Sequence, residues 1–451
     1  MPRSVNAAPP AKNHLAVMSR MGYDFNTAVA DIVDNSIAAQ AKIIDIEFYL
    51  EEDRAIFLIQ DDGFGMNENE LISNMSIGCK DAGIERAHGD LGRFGAGLKT
   101  ASFSQAETLT VITKRKNESL SAAVWDKSII AEKGWQLQVL DFNEIDAVST
   151  KKQRQIDHGT IVRWDAIGVI QSLAHSPDKQ IQIDQLCSEL HKHIGLYFHK
   201  FLVGSNSVKL KINNRLVDPI DPFMRHINGA EELNNTYFRL EKGSRVEIQG
   251  YRIPFISNMS QSDIDLYGGE TKIRQEQGLY VYRENRLIIA GKWMGLQRYS
   301  NLSGLTRIEI NVPSSLDNEW STDVKKSSLQ IPPKVKDKIK RLLAKPVQAS
   351  KRAYMHRGDT EVANSFWCVK NDERSKLITY EIDPKNSSLL KVVSNLDASE
   401  KRVLLRYLID LSAALPLTHI YSTMATSSKS IAQGAIGDDA LKELIEALNN
   451  E

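Results

Sequence analysis

The chain has 451 residues with 57 basic and 57 acidic side chains, so its formal net charge at neutral pH is zero. An apolar fraction of 42% and a charged fraction of 25% are those of an ordinary soluble protein of about two or three domains. This balance excludes a chain that is basic or acidic throughout, and any surface for nucleic acid must be local.

The positions of the cysteines also limit the possible functions. Cys79, Cys187 and Cys368 are too far apart for a disulfide framework or a metal-binding motif, which favours a reducing compartment. The sequence contains no apolar run long enough to cross a membrane, and its first residues lack a signal-peptide core. We therefore expect a cytoplasmic protein without a membrane partner.

The first strong helical pattern begins at Asn26, which is predicted to cap the helix. Apolar residues recur at helical spacing over the next three turns, at Ala28, Val29, Ile32, Val33 and Ile37. Asp31 and Asn35 interrupt them and, being four residues apart, project from one face. For such a pair alone, an exposed polar stripe remains the alternative to a functional site.

Two strands follow this helix. Residues 44–50 alternate between apolar and acidic side chains, as in a half-buried strand, and residues 56–59 predict its buried neighbour. The second strand ends in Asp61-Asp62-Gly63-Phe64-Gly65-Met66. A carboxylate there can accept a hydrogen bond from a base while the glycines let the ligand approach, although such a motif alone is more often a surface turn.

The run Gly89–Ser102 contains four glycines and then a predicted helix that opens at about Leu98. Its backbone N–H groups, together with Lys99, are suited to gripping the phosphates of a nucleotide. A P-loop is disfavoured because Leu98 intrudes between Gly97 and Lys99 and because the preceding residues are polar rather than a buried strand. The Rossmann fingerprint fails for the same lack of a strand.

Further strands are predicted at 111–113 and 159–164, on the same sheet. Together, the motifs at 31–35, 61–66, 92–99 and 159–160 resemble the GHKL superfamily of DNA gyrase B, heat-shock-90 chaperones, histidine kinases and MutL. This resemblance covers about residues 14–200. It implies an α+β chain that begins with the ATP-binding α/β sandwich known as the Bergerat fold.

The resemblance also implies a site for ATP and Mg²⁺. Asn35 corresponds to the magnesium ligand, Asp61 to the adenine reader, and Asp31 to the general base that activates water. Glutamate is the usual residue at that last position, so a module that binds ATP without hydrolysing it remains the alternative. The other nucleotide-binding residues that it implies are Gly65, Met66, Gly92, Phe94, Gly95, Ala96, Gly97, Leu98, Lys99 and Thr160.

A second domain is predicted after the glycine- and serine-rich residues 204–207. Hairpins at 208–217 and 278–289 and a strand at 307–312 resemble the transducer domain of gyrase B, MutL and the MORC proteins, and the string V-Y-R-E-N-R-L-I looks most like MORC. The resemblance implies a catalytic lysine that reaches the γ-phosphate. Lys326 is predicted for that role, with Lys325 as an alternative; a solvated pair remains the other reading.

The residues of the last third of the chain indicate binding to partners rather than a catalytic role. A lysine-rich helix over Lys334–Lys345 could bind double-stranded DNA, although a solvated basic face is the alternative. Beyond it, Leu404, Leu405, Leu408, Ile409 and Leu411 predict a buried helix and residues 438–448 a terminal one. This mostly helical region is expected to bind a partner protein.

The sequence thus predicts three domains, at 1–203, 204–345 and 346–451. The predicted function is magnesium-dependent ATP hydrolysis that drives dimer closure in a MORC-like clamp, acting on DNA or on a partner protein. The alternative is a protein-interaction module that ATP switches without being hydrolysed.

Overall fold

A computed structural model of the chain describes residues 9–20, 23–77, 97–173, 175–233, 235–239, 245–313, 331, 333–358, 366–372, 377–417 and 420. The chain divides into two compact units, Met1–Ser350 and Lys351–Glu451. Among the described residues, no helix combines the length and the apolar character that crossing a membrane requires.

The first part of the larger unit is built on an eight-stranded sheet. Its elements in chain order are α1 (Ala11–Ser19), α2 (Phe25–Ala38), β1 (Ile43–Glu51), β2 (Arg54–Asp61), α3 (Glu68–Met75), α4 (Gly97–Gln105), β3 (Thr108–Lys114), β4 (Ser121–Asp126), α5 (Lys127–Lys133), β5 (Gln138–Leu140), α6 (Phe142–Val148), α7 (Lys151–Arg154), β6 (Gly159–Asp165), α8 (Gly168–Gln171), α9 (Ser176–Tyr197), β7 (Lys209–Ile212) and β8 (Arg215–Leu216). The strand order is β5-β4-β3-β6-β2-β1-β7-β8, antiparallel except for the parallel pair β1 and β7.

Alternation along the strands divides this part into layers. Phe57 and Ile59 of β2 join the main core with the apolar faces of α2 and α9, while Ile56 and Leu58 point the other way and pack near Ile145 of α6. Strand β2 is therefore buried on both faces, as its unbroken apolar run predicts. The predicted strands at 111–113 and 159–164 are confirmed as neighbours, β3 and β6.

The start of α2 corrects one prediction. The helix begins at Phe25, and its N-cap is Asp24, whose side chain accepts a hydrogen bond from the backbone N–H of Thr27 at 2.9 Å. Asn26 lies inside the first turn and does not cap the helix. Aspartate and asparagine cap almost equally well, so residue preference alone did not distinguish the two positions.

The predicted hairpin at 208–217 is confirmed as β7 and β8. Asn213 and Asn214 form its turn with φ angles of 46° and 64°, the left-handed conformation that two-residue hairpin turns require. Because β7 pairs with β1, the first sheet continues past residue 203, where the first domain was predicted to end. The domain boundaries at 203 and 345 stay predictions.

The second part of the larger unit is a six-stranded sheet. Its elements are β9 (Glu231–Glu232), β10 (Thr236–Arg239), β11 (Arg245–Arg252), α10 (Gln261–Leu266), α11 (Glu270–Gln275), β12 (Gly278–Arg283), β13 (Arg286–Lys292) and β14 (Thr306–Val312), with 3₁₀ turns at Ile256–Asn258 and Asn301–Ser303. The strand order is β10-β11-β14-β12-β13, and β9 pairs with β11. The predicted hairpin at 278–289 and the strand at 307–312 are confirmed.

The lysine-rich helix is α12 (Pro333–Gly358). Ile339, Leu343 and Val347 are buried against the second sheet, so their spacing of four places the apolar face on the core. The charged residues described between 336 and 345 are all exposed. The helix is therefore amphipathic, with a basic outer face.

The smaller unit contains a hairpin of β15 (Trp367–Asp372) and β16 (Leu377–Ile382), followed by α13 (Ser387–Ser394) and α14 (Ala398–Ala413). The prediction of a helix at α14 is confirmed, but the prediction that it is buried is wrong: Leu405 is 44% exposed and Ile409 60%. The helix packs against β16, but several of its apolar side chains remain exposed. Residues 438–448 lie outside the described residues.

Candidate functional site

The face of α2 that meets α4 carries a buried carboxylate. Asp31 is 5% exposed, and the Tyr23 hydroxyl donates a hydrogen bond to its Oδ2 at 3.0 Å. A Cβ on Gly97, the first residue of α4, would lie 3.5 Å from the same oxygen. Asn35 follows one turn later and is exposed. Of the two polar residues that the sequence singled out, Asp31 therefore has its carboxylate inside the protein and Asn35 has its amide at the surface.

A second carboxylate lies at the end of β2. Asp61 is 7% exposed; its Oδ2 accepts a hydrogen bond from the Ser36 hydroxyl at 2.8 Å and its Oδ1 one from the backbone N–H of Gly63 at 2.9 Å. Burial raises the pKa of the Asp61 carboxyl, against the opposing effect of these hydrogen bonds. Each carboxylate oxygen can accept more than one bond, so the group retains capacity for a ligand.

Helix α2 joins these two carboxylates. It contains Asp31 itself and Ser36, the hydrogen-bond partner of Asp61, and five residues of helix separate them by about 7 Å along the axis. Sequence reasoning missed Ser36, although its position directly after Asn35 on the same helix was a usable signal. The helix thus fixes the spacing between the two acidic groups.

Two glycines near Asp61 are required by close packing. A Cβ on Gly63 would lie 2.7 Å from the Ala39 Cβ and 2.9 Å from the Asp61 Oδ1. Gly65 has a φ angle of 65°, and a Cβ there would lie 1.8 Å from the carbonyl oxygen of Lys114. A larger residue at Gly63 would therefore clash with Ala39 and with the Asp61 carboxylate, and one at Gly65 would clash with the backbone at the end of β3.

A threonine that sequence reasoning did not single out connects the predicted residues Met66 and Thr160. The Thr113 hydroxyl accepts a hydrogen bond from the backbone N–H of Met66 at 3.0 Å and donates one to the carbonyl of Gly159 at 3.0 Å. The Thr160 hydroxyl lies 3.0 Å from it. Thr113 therefore ties the loop after Asp61 to β6, and its polar side chain at the end of an apolar strand was the available signal.

The predicted phosphate-binding lysine has other partners. Lys99 is 1% exposed, and its Nζ donates hydrogen bonds to the carbonyls of Asn74 at 2.7 Å and Ser76 at 2.9 Å. These carbonyls lie at the carboxyl end of α3, where a cation is favourable. Leu98 is half-buried and packs against the core. Lys99 thus joins α4 to α3, and its contact with phosphate stays a prediction.

Several predicted residues fall outside the part of the chain that the structure describes. From the glycine loop these are Gly92, Phe94, Gly95 and Ala96, and from the predicted transducer they are Lys325 and Lys326. Gly97 is the member of the loop's glycine set that the structure describes.

The described residues of the candidate site suit a Mg²⁺ ion that is also coordinated by the phosphates of a ligand. Among the described residues, no group of three or more histidine, cysteine, aspartate or glutamate side chains could hold a metal ion. Asn35 offers one amide oxygen at the surface of α2. Magnesium commonly takes only one or two protein oxygens and completes its shell with water and phosphate, so a single amide fits that use.

The two buried carboxylates lie in the α/β part of the chain that is built on the eight-stranded sheet. Residues 23–160 match the sequence model of the family described as histidine kinase-, DNA gyrase B-, and HSP90-like ATPase. The match confirms the resemblance that the motifs predicted, and the matched segment includes Asp31, Asn35, Asp61 and Lys99.

Two curated proteins share a short segment with this chain. One is ATPase morc-1 of Caenorhabditis elegans, 29% identical over 89 residues, which are 20% of this chain and 10% of that protein. The other is the chaperone protein HtpG of Wolinella succinogenes, 32% identical over 90 residues, which are 18% of this chain and 14% of that protein. The similarity therefore spans only a small share of either relative's length.

Proposed function

We propose that the protein binds magnesium ATP between α2 and the end of β2 and hydrolyses it. The observation that carries this proposal is the Asp61 arrangement, in which Ser36 and Gly63 hold a buried carboxylate beside a glycine-lined turn. A carboxylate fixed in this way can accept a hydrogen bond from the adenine amino group. The ATPase family of residues 23–160 supports the same ligand.

The phosphates would then extend along α2 toward Asp31 and the start of α4. There the backbone N–H groups of the first turn of α4, beginning at Gly97, are suited to an anion. Asn35 would hold Mg²⁺, and the bound ion would neutralise part of the phosphate charge. Residues 92–96 and Lys326 are proposed to complete this end of the site.

Asp31 is the proposed general base. Its carboxylate is buried and oriented by the Tyr23 hydroxyl, so it can hold a water molecule and accept its proton. Aspartate is one methylene shorter than glutamate, so the water must bind closer to α2. We expect turnover to be slow for this reason.

A second candidate function is a switch that binds ATP without hydrolysing it. The observation that favours it is the same Tyr23 bond, because the Asp31 Oδ2 that accepts the Tyr23 hydrogen bond has less capacity left to hold a water molecule. Release of phosphate from ATP by the purified protein separates the two candidates. Release that requires magnesium supports hydrolysis, and ATP binding without release supports the switch.

We further propose that ATP closes a homodimer, as in a MORC-like clamp. The second sheet is the proposed transducer, and Lys326 would contact the γ-phosphate only in the triphosphate state, which gives ATP and ADP different affinities for the closed form. Light scattering with a non-hydrolysable ATP analogue should give twice the mass found with ADP. Equal masses would contradict closure.

The proposed object of the clamp is DNA, with a partner protein as the alternative. The exposed basic face of α12 supports DNA because it displays Lys336, Lys340 and Arg341 to solvent without an apolar covering. The exposed apolar side chains of α14 support a protein partner, since surfaces of that kind commonly mark interfaces.

A further inference from the structure

A buried ion pair connects the second sheet to the nucleotide-site helix. Arg286, the first residue of β13, donates a hydrogen bond from Nε to the Asp34 Oδ1 on α2 at 3.0 Å. The Arg286 side chain is 7% exposed and that of Asp34 1%. Glu284 and Asn285 form the turn before β13 with φ angles of 47° and 68°, so a tight hairpin delivers the arginine to α2.

The guanidinium group is fixed from its other sides by the end of α9. Its Cζ lies 4.0 Å from the ring centroid of Phe198 and 5.3 Å from that of Tyr197. One terminal nitrogen donates to the carbonyls of Leu287 at 2.7 Å and Tyr197 at 3.4 Å. The rings and the carbonyls position the group independently of α2, and its Nε bond then fixes where Asp34 can lie.

Burial of the Arg286–Asp34 ion pair indicates that the contact positions α2 rather than mainly stabilising the fold. Removing two charges from water costs several kcal/mol, which a well-packed apolar pair would avoid, so a buried ion pair is weak evidence for stability. Asp34 stands between Asp31 and Asn35 on one turn of helix. A contact that fixes Asp34 therefore fixes the rotation and height of the turn that carries the proposed base and the proposed magnesium ligand.

We infer that Arg286 is a positioning residue that couples the second sheet to catalysis by holding α2 in its reactive register; this inference rests on the proposed function. Any movement of β13 relative to α2 either breaks the bond between Nε and Oδ1 or carries α2 with it. The second sheet thus controls hydrolysis through Asp34, the residue of α2 that Arg286 holds.

A second ion pair provides a matched control. The Lys200 Nζ lies 2.5 Å from the Glu309 Oε1 of β14 and 3.9 Å from the centroid of the Tyr282 ring. It also joins the chain after α9 to the second sheet through a largely buried charge, but its described contacts do not include α2. Lys200→Met therefore loosens the same junction without releasing Asp34.

The experiment compares Arg286→Met, Arg286→Lys, Asp34→Asn and Lys200→Met with the parent. We expect kcat to fall about tenfold or more in Arg286→Met and Asp34→Asn, with affinity for an ATP analogue within about threefold, because misplacing a base slows the chemical step more than binding. The double variant should be no slower than either single variant, and Arg286→Lys should recover part of the rate. Lys200→Met should retain the parental kcat.

Hydrogen exchange gives a readout that does not need turnover. Without nucleotide, the backbone amides of residues 31–38 should exchange faster in Arg286→Met and Arg286→Lys than in the parent or in Lys200→Met. Equal rates of exchange and hydrolysis in Arg286→Met and Lys200→Met would overturn the inference. A parent that binds ATP but never hydrolyses it would instead refute the proposed reaction, and the exchange comparison would still decide whether Arg286 positions α2.

Discussion

Two regions of the larger unit differ in whether their charged side chains are buried or exposed. The region around α2 buries charged side chains that each have less than a tenth of their surface exposed: Asp31, Asp34, Asp61 and Lys99. The outer face of α12 instead exposes every described charged residue between 336 and 345. A buried charge costs several kcal/mol unless it is well paired, whereas an exposed one costs almost nothing. Burial therefore identifies the charges whose replacement should have large and specific effects.

The largest effect is expected for Asp31→Asn. The substitution keeps the shape of the side chain but cannot accept a proton, so turnover should fall by at least about 10² while ATP affinity stays within about threefold. Phosphate release and calorimetry measure the two quantities. An ATP-bound dimer of this variant should also outlast the parental one.

Asp24→Asn is the matched control for that variant. It makes the same chemical change at the N-cap of the same helix, where asparagine caps about as well as aspartate. Its turnover should equal that of the parent. An Asp31→Asn protein that hydrolyses ATP at the parental rate would remove Asp31 from the mechanism.

Asp61→Ala should have the next largest effect. Truncating a buried, hydrogen-bonded carboxylate should weaken ATP binding by roughly 1.5–3 kcal/mol, which is about tenfold or more. Calorimetry on Asp62→Ala provides the comparison, because that neighbouring carboxylate accepts hydrogen bonds from the backbone of Lys42 and Ile43 instead. Equal affinities in Asp61→Ala and the parent would reject Asp61 as the adenine contact.

On α12, reversing Lys336, Lys340 and Arg341 to glutamate tests the exposed side of the comparison. Unfolding free energy should change by no more than about 0.5 kcal/mol, and ATP affinity should not change. Binding of duplex DNA, measured by gel shift at low salt, should be lost together with its steep salt dependence.

Arg402→Glu with Arg406→Glu is the control, since it reverses exposed charges on α14. It should leave DNA binding intact. If the parent itself shifts no DNA at low salt, the basic face of α12 is only solvated.

The same contrast explains which parts of the fold could be predicted from the sequence. Strand β2 was predictable because burial on both faces leaves an unbroken apolar run, and Asp61 was predictable because it ends that run beside two glycines. The helix at α14 was predictable too. Its exposure was not, because an apolar pattern records that a surface prefers burial without recording which partner covers it.

The partners of the buried charges were beyond sequence reasoning for a different reason. Asp34 and Arg286 are separated by 252 positions, and nothing local to either residue indicates the other. Lys99 was predicted to bind phosphate because it follows a run of glycines, whereas its described bonds go to the carbonyls of Asn74 and Ser76 at the end of α3. Contacts of this kind depend on how the elements pack, not on the motif that contains the residue.

The smallest expected effect concerns pH. Burial raises the pKa of Asp61 in the folded protein, so the folded state binds its proton more readily than the unfolded state does. The contribution of Asp61 to stability is therefore greatest below its unfolded pKa of about 4 and declines as pH rises through the folded value. Asparagine does not titrate, so the unfolding free energy of Asp61→Asn relative to the parent should rise from pH 3 to pH 7, by about 1.4 kcal/mol for each unit of pKa shift.

The unfolding free energy of Asp126→Asn relative to the parent should change with pH in the opposite direction to that of Asp61→Asn. Each variant therefore serves as the control for the other. Burial disfavours its charge, but hydrogen bonds from the hydroxyl and backbone N–H of Ser128 and from the backbone N–H of Ile129 outweigh that effect and lower its pKa. The stability that its charge contributes is present above the unfolded pKa and is lost as pH falls through the folded value. Denaturant titrations of Asp126→Asn should therefore show a loss relative to the parent that grows between pH 3 and pH 7. If the relative unfolding free energies of both variants change in the same direction with pH, the surroundings of Asp61 do not disfavour its charge. The contrast between Asp61 at the candidate site and Asp126 at a helix N-cap would then be wrong.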